Sequence, residues 1–460
     1  LTYHSPSSLS VGQLVTVPLR GRILPGFVAK INTGANFRAQ IKPIKNNSNF
    51  VLPENFVNYF MAVAQYYLIS PSTLLKMTWP FFNQKYVKYE QKNNLDKDSK
   101  RGSTLYFTPS IEQANRQVSK FITIGADAAS RQQIFWQSFF NSVNIAGSQN
   151  IAWLPYKKIN RIIFDSPLLS PFESARSPGI HSLYLASKLA FHYGCPLIVR
   201  TVIPKELLCK RYHIKNITVR QPPLNKVETV LTAEGWLNKE MQNIISNLLS
   251  KNKKVGIYYN SLSKIDQSGK IQGLANLANQ LSKMFSIPIG VVSDKENRNP
   301  NAQLTVFTNK ILYQQISFDQ VIVLDPKLLL SPNRPHSHIE ALEILGLLAS
   351  RYNLTVQSND SKNVLFKACQ ANFNPQIINA LNWPHFNKRI IRLVAKKPNI
   401  ENELAELKKI NPSLHQNLEG ESTVITLMTK QKVDSALEQF ILKNRANFRI
   451  FSDVSSLQLE

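Results

Sequence analysis

The chain has 460 residues, 43% of them hydrophobic, and 55 Lys and Arg against 29 Asp and Glu give a formal charge of +26. At roughly 150 residues per domain the length predicts about three domains. The charge points to a polyanionic partner, nucleic acid first, beside the plainer reading that a Lys-, Asn- and Ile-rich composition solvates the surface. Cys195, Cys209 and Cys369 are too few and too far apart for a disulfide framework or a four-thiolate zinc site, which fits a reducing cytoplasm. The sequence shows no run of about 18 apolar residues and no basic-then-apolar start, so neither a membrane span, a membrane partner nor a signal peptide is expected. The sequence opens on Leu1, almost inside a strand, and the expectation is that the true N-terminus lies upstream.

In chain order, Leu14 to Pro18 and Ile23 to Ile31 read as two β-runs joined by a basic turn around Arg20 and Gly21. Residues 54 to 76 carry helical spacing through Phe56, Phe60, Val63, Ala64 and Tyr67, with a break at Ser70 and Pro71. These make a small module over 1–83. Residues 84–103 are polar and charged without apolar periodicity and read as a linker. Short apolar strands then alternate with amphipathic stretches: Thr104 to Phe107, a helix near Ile111 to Phe121, Arg161 to Asp165, a helix near Ser182 to Tyr193, and Pro196 to Val199. A second series has a helix around Lys239 to Leu249, Val255 to Tyr259, a helix at Leu274 to Phe285, then strands Ile287 to Val292, Leu304 to Phe307 and Gln320 to Leu324. Such alternation predicts parallel sheets, in lobes over 104–215 and 225–358. The C-terminal stretch, 359–460, gives strands near Ile390 to Ala395, Ser422 to Met428 and Phe448 to Ser452 and a helix near Lys432 to Asn444.

Several segments, taken in order, carry a resemblance. Tyr3, then Val17, Pro18, Leu19 and Arg20, then Gly26, form a strand–turn–strand pattern, and Ala62 to Tyr67 reads Ala-Val-Ala-Gln-Tyr-Tyr. Gly147 to Tyr156 precedes a strand ending in Ile162, Ile163, Phe164 and Asp165; Pro178 to His181 and Leu381 to Phe386 come later. In order and spacing these segments resemble the PriA family, the primosomal protein N-prime helicases of replication restart, over nearly the whole chain. The resemblance implies an α/β multidomain fold: a β-rich DNA-binding module, two RecA-like parallel lobes and a C-terminal α/β domain. It also implies a bacterial cytoplasmic, nucleoid-associated protein.

Hydrolysis of ATP in such a motor needs a Gly-rich loop with a Lys to cradle phosphates and a carboxylate pair for magnesium and water. No GxxxxGK[ST] occurs, and Gly269–Lys270 reads as a plain turn. Asp165 is followed by Ser166, Pro167 and Leu168 in place of acidic neighbours, and reads as a strand-end cap. Arg351 stands alone where the family carries a Gly-Arg-x-Gly-Arg element, and reads either as a remnant of the arginine finger or as a surface arginine at a helix end; Thr308, Asn309 and Lys310 replace its Gly-Thr-Gln. Asp165 and Arg351 therefore mark a degenerate nucleotide site, and no catalytic residue is assigned. ATP and magnesium are expected only if motor activity persists. Zinc is not expected, because Asn260 to Gly273 holds no cysteine and His336 and His338 lack further ligands nearby.

The resemblance places DNA contacts at Thr2, Tyr3, Arg20, Arg22 and Arg38. Tyr3 is suited to stack on a base and the arginines to pair with phosphate, while Thr2 stands where the family has Asp. The bland readings are a half-buried strand tyrosine and solvated arginines. The function expected is binding of forked DNA or single-strand/double-strand junctions, with replication-restart proteins as partners and without unwinding. A divergent active 3′–5′ helicase and a scaffold for another replication protein stand as the alternatives.

Overall fold

The structure is a computed structural model. It describes residues 3–19, 21–32, 42–78, 102–108, 122–123, 134, 137–138, 142–166, 180–212, 214, 216–232, 237–259, 273–293, 296–309, 311, 316–329, 337–383, 389–396, 400–411, 415–419, 422–429, 435–444 and 447–452.

The N-terminal module is a three-stranded antiparallel sheet. β1 (Gln13–Leu19) pairs with β2 (Arg22–Phe27) through Val15↔Gly26 and Leu19↔Arg22, and its other edge takes β3 (Asn46–Val51). The β1–β2 turn has two residues, and Gly21 adopts φ 76°, the left-handed backbone that tight hairpins demand. The chain then forms α1 (Glu54–Tyr66) and α2 (Pro71–Thr78), separated at Leu68, whose φ is 55°.

The first lobe is a six-stranded, all-parallel sheet. Its strands are β4 (Ser103–Phe107), β5 (Ile122–Thr123), β6 (Ile145–Gly147), β7 (Ile159–Asp165), β8 (Leu197–Arg200) and β9 (Ile217–Arg220), in the order β5-β6-β4-β7-β8-β9. Every residue of β4 is buried, as a parallel strand covered on both faces requires. α3 (Ser182–Tyr193) and α4 (Lys205–Tyr212) follow β7 and β8. The helix expected near 111–121, and residues 84–101 of the expected linker, lie outside the described residues.

In the second lobe β10 (Val227–Leu231), β11 (Val255–Tyr258), β12 (Ile289–Val292), β13 (Asn297–Arg298), β14 (Leu304–Phe307), β15 (Gln320–Val323) and β16 (Asn353–Ser358) run in the order β10-β16-β15-β11-β14-β12-β13. All its pairings are parallel except β12–β13. Alternate residues of β11 face opposite layers. Val255 and Ile257 meet Met241, Ile245, Leu277 and Leu281 of α5 (Lys239–Ser250) and α6 (Leu274–Phe285), while Tyr258 joins the other core, which includes Leu342 and Leu345 of α7 (Ser337–Arg351). α5 starts where Asn238 Oδ1 accepts the Met241 N–H at 2.7 Å. α8 (Val364–Gln370) and α9 (Pro375–Ala380) come next.

The C-terminal sheet is antiparallel. β17 (Arg389–Ala395), β18 (His415–Glu419), β19 (Ser422–Thr429) and β20 (Phe448–Ser452) take the order β18-β19-β17-β20, with α10 (Glu401–Ile410) and α11 (Ser435–Asn444) contributing to its core. The fold class is thus the one expected, α/β with a β-rich N-terminal module and two parallel lobes. Among the described residues no helix is long and apolar enough to cross a membrane.

One apolar core joins the module to both lobes. It runs from Phe56, Phe60 and Val63 of α1, through Leu105, Phe164 and Leu185 of the first lobe, to Val321, Leu345 and Val356 of the second, and on to Phe366 and Cys369 of α8. Leu68 goes elsewhere, into the core of the C-terminal sheet with Leu393 and Phe440.

Candidate functional site

Two places bring the expected residues together. The first is the turn end of the β1–β2 hairpin. Tyr3 is half-buried, and its hydroxyl donates to the carbonyl of Pro18 at 3.1 Å; Pro18 pairs with Ile23, one step from Arg22. Arg22 is exposed, and its neighbour Ile23 is 63% exposed. Tyr3 and Arg22 therefore share one end of the sheet. The strap 42–45 lies beside them: His4 N–H donates to Lys42 O at 3.1 Å, Ile44 N–H to His4 O at 3.0 Å, and Lys45 N–H to Thr16 O at 2.8 Å. Both Lys42 and Lys45 are exposed. Sequence reasoning did not single out these cations, which come to the hairpin only through backbone pairing of residues about 30 to 40 positions apart. Thr2, Arg20 and Arg38 lie outside the described residues.

The module is fixed to the first lobe by aromatic rings. Tyr66 of α1 stacks on Tyr184 of α3 with centroids 3.7 Å apart, and Tyr67 Oη accepts the His181 N–H at 2.9 Å. Tyr59 lies 6.2 Å from Trp153, and Tyr156 Oη closes the 149–153 turn by donating to Ile151 O at 2.8 Å.

The second place is a cleft of about 480 Å³ between the lobes. One wall is the carboxyl ends of first-lobe strands, with Tyr106, Thr108, Asp165, Arg200 and Arg220; the other is α7, with Glu343, Gly346 and Arg351. The carboxyl edge of a parallel sheet is where such folds seat ligands. Asp165 and Arg351, far apart in sequence, both line it, and the Arg351 charge is felt at Asp165.

Within the cleft Asp165 is bonded through one oxygen only: Oδ2 is engaged, and Oδ1 is buried without a hydrogen-bond partner among the described residues. The Tyr106 hydroxyl donates to Asp165 Oδ2, and Arg200 Nη1 donates to Tyr106 Oη at 3.0 Å while standing 3.7 Å from Asp165 Oδ1. The Arg200 guanidinium also lies over the Tyr106 ring, 5.6 Å from its centroid. Burial raises the Asp165 carboxyl above its ordinary range, against the opposing pull of the Tyr106 hydrogen bond, Arg200 and Arg351. Burial, reinforced by the Asp165 charge, likewise raises the Tyr106 phenol. Glu343 is 2% exposed. It accepts from the Thr201 hydroxyl, which itself takes the Ile203 N–H at 3.0 Å, and from Ser166. Burial pushes the Glu343 carboxyl up to about 8, and the nearby Asp165 charge adds to the rise. At neutral pH this acid is mostly uncharged.

Asp165 is thus more than a strand-end cap: it is the acceptor in a phenol–carboxylate–guanidinium cluster. Arg351 is half-buried in the last turn of α7 and faces the cleft. Among the described residues no group of three or more His, Cys, Asp and Glu gathers to hold a metal. His336 and residues 260–272 lie outside the described residues.

Residues 1–80 match the family model of the 3′DNA-binding domain (3′BD) of PriA. No curated protein matches the chain. Among solved structures, the chain is similar to S. cerevisiae Dbp5 bound to RNA and ADP BeF3, at 9% identity and a TM-score of 0.34, covering 72% of this chain and 93% of that one. It is also similar to the Escherichia coli DEAH/RHA helicase HrpB at 10% identity and a TM-score of 0.31, covering 57% and 37%. A further structure, the E. coli DExH-box NTPase HrpB, matches at 10% identity and a TM-score of 0.30, covering 68% and 42%.

Proposed function

Given that residues 1–80 belong to the PriA 3′DNA-binding domain family, we propose that this chain binds DNA at forks and single-strand/double-strand junctions in replication restart, and does so without ATP-driven unwinding. The observation that carries the binding half is the family match itself. The hairpin end supports it chemically: Tyr3, Arg22, Lys42 and Lys45 set one aromatic ring and three cations around one strand turn. Cations there pair with phosphates, and a phenol ring offers a stacking face for a terminal base. The formal charge of +26 draws DNA to the surface before any such contact forms.

The chemistry of the cleft supports the second half. A hydrolytic site needs carboxylate oxygens free for a metal and a Lys in a Gly-rich loop. Here one Asp165 oxygen accepts from the Tyr106 phenol, Glu343 is hydrogen-bonded and mostly protonated at pH 7, and the sequence holds no GxxxxGK[ST]. We assign the chain neither nucleotide nor metal cofactor, and place it with the bacterial nucleoid and other restart proteins as partners.

Fluorescence anisotropy on a labelled fork, a 3′-tailed duplex and a blunt duplex tests the binding, with ATP turnover followed on the same DNA. Tighter binding to the fork and the 3′ tail without DNA-stimulated turnover is expected. Equal affinity for all three would overturn fork recognition, and turnover well above background would restore the motor.

A further inference from the structure

The first lobe carries another basic surface, at the amino edge of its sheet, that neither the hairpin nor the cleft uses. We propose that this edge is a site for single-stranded DNA, in which Phe191 stacks on an unpaired base while Lys157, Lys158 and Arg161 hold neighbouring phosphates. The proposal rests on the reading of the chain as a DNA-binding protein, and adds a contact that needs no strand end.

Backbone pairing assembles the site. β7 enters the sheet from Lys157 and Lys158, and α3 delivers the chain to β8, so the start of β7, the last turn of α3 and the start of β8 share one edge. Tyr193 Oη donates to Tyr156 O at 2.7 Å, the Ser103 N–H to Lys158 O at 2.9 Å, and the Ile162 N–H to Pro196 O at 2.9 Å. These bonds bring Lys157, Lys158 and Arg161 beside the segment from Phe191 to Pro196. All three cations are exposed. Lys158 is also fixed along its stem, which lies so close to Gly102 that a Cβ there would meet its Cγ at 2.8 Å. Phe191 is 74% exposed, the most open large apolar side chain among the described residues, and His192 stands perpendicular to it with ring centroids 5.2 Å apart. The end of α3 thus holds out an aromatic ring to solvent.

The charge of this edge is uncompensated. Between residues 131 and 200 the sequence holds seven Lys and Arg against two acids, Asp165 and Glu173. Asp165 lies at the opposite, carboxyl edge, in the cleft, and Glu173 lies outside the described residues. Among the described residues no acid pairs with Lys157, Lys158, Arg161 or Lys188. Lys188 lies over the Tyr184 ring, and the charge acting on His192 is that of Lys188. Such a cluster gains by taking up a polyanion, which releases its own counterions in turn. The aromatic ring then selects among polyanions. A base offers its face only when unstacked, so a single strand uses Phe191 and the cations together, whereas a continuous duplex or an acidic peptide uses the cations alone.

The test is fluorescence anisotropy of the full chain on a small circular oligothymidylate, which has no 3′ end for the hairpin to hold, beside an abasic circle of the same length and charge. Phe191→Ala is expected to weaken binding to the thymidylate circle about tenfold and to leave the abasic circle unchanged. Lys157→Ala combined with Lys158→Ala is expected to weaken both and to lower the magnitude of the salt slope by about 1.4, the release due to two phosphates of a single strand. All three positions are exposed, so the variants should fold. Failure of the wild type to bind the thymidylate circle, or Phe191→Ala matching the wild type on it, would overturn the site. An equal loss on both circles would overturn the stacking and give the edge to acidic ligands at large, and an unaltered salt slope in the double variant would overturn the phosphate contacts. Arg22→Ala on a 3′-tailed duplex reports on the hairpin alone, so failure of the fork reading and failure of this site are seen separately.

Discussion

Tyr106 sits between two charged groups and bonds to both: it donates to Asp165 and accepts from Arg200. Tyr106→Phe leaves a partly buried carboxylate without its donor, and a loss of roughly 1 to 3 kcal/mol in urea unfolding is expected. Glu343 gives a pH signature of opposite origin, because nothing is removed. Its folded pKa of about 8 stands above the ordinary 4.5. Between those values the folded chain holds a proton that the unfolded chain has released, so stability falls as pH rises through that window and is level above it. From pH 6 to pH 9 the difference between Glu343→Gln and wild type should widen by up to about 3 kcal/mol in favour of the variant. Arg22 belongs to the other site. If it contacts a phosphate, Arg22→Ala weakens binding to all DNAs alike and lowers the magnitude of the salt slope by about one.

At the scale of elements, α7 shows why close approach matters. Glycine inside a helix normally costs about 1 kcal/mol against alanine, yet at Gly346 an added Cβ meets Val202 at 2.2 Å. Gly346→Ala is expected to destabilise by roughly 1 to 3 kcal/mol through overpacking, and Val202→Ala in the same chain to recover much of it. A double-mutant cycle by urea unfolding checks the coupling. The same helix shows what the sequence conceals. Ile339, Ala341, Leu342, Ile344, Leu345, Leu348 and Ala349 are all buried, so α7 has no single apolar stripe for periodicity to reveal. By contrast α3 and α6 match their expected bounds to the residue, because each carries apolar spacing and ends at a clear stop; α3 closes on Gly194 in the left-handed region. β3 was hidden for another reason. Its Asn-Asn-Ser-Asn start carries no strand pattern, and it forms by pairing along the free edge of β1. The cleft was half legible: the strand before Asp165 and the lone Arg351 both stood out, whereas Thr201 and Glu343, 142 residues apart, acquire meaning only when the lobes meet.

At the scale of the whole molecule, charge governs the approach of DNA and packing governs how the body responds to it. Affinity for forked DNA should drop steeply between 50 and 200 mM salt, in proportion to the phosphates contacted, and a flat response would mean that the basic surface is not the interface. The core that unites α1 with both lobes makes a second expectation. Deleting residues 1–78 uncovers the surface that Phe56, Phe60, Val63 and Tyr66 now cover, and the shortened chain should bind a hydrophobic dye and aggregate, whereas a separable module would leave a well-behaved remainder.

The position of Leu68 extends this further. It leaves the end of α1 with a left-handed backbone and enters the C-terminal core, while Tyr66 and Tyr67, two residues and one residue before it, grip the first lobe. Three consecutive residues thus key one short segment into two separate parts of the protein. If DNA is held at the hairpin, as proposed, a force applied to it reaches this segment as a wedge between them, so tension on the strand would register as strain in the body of the protein and not as the swing of a tethered arm.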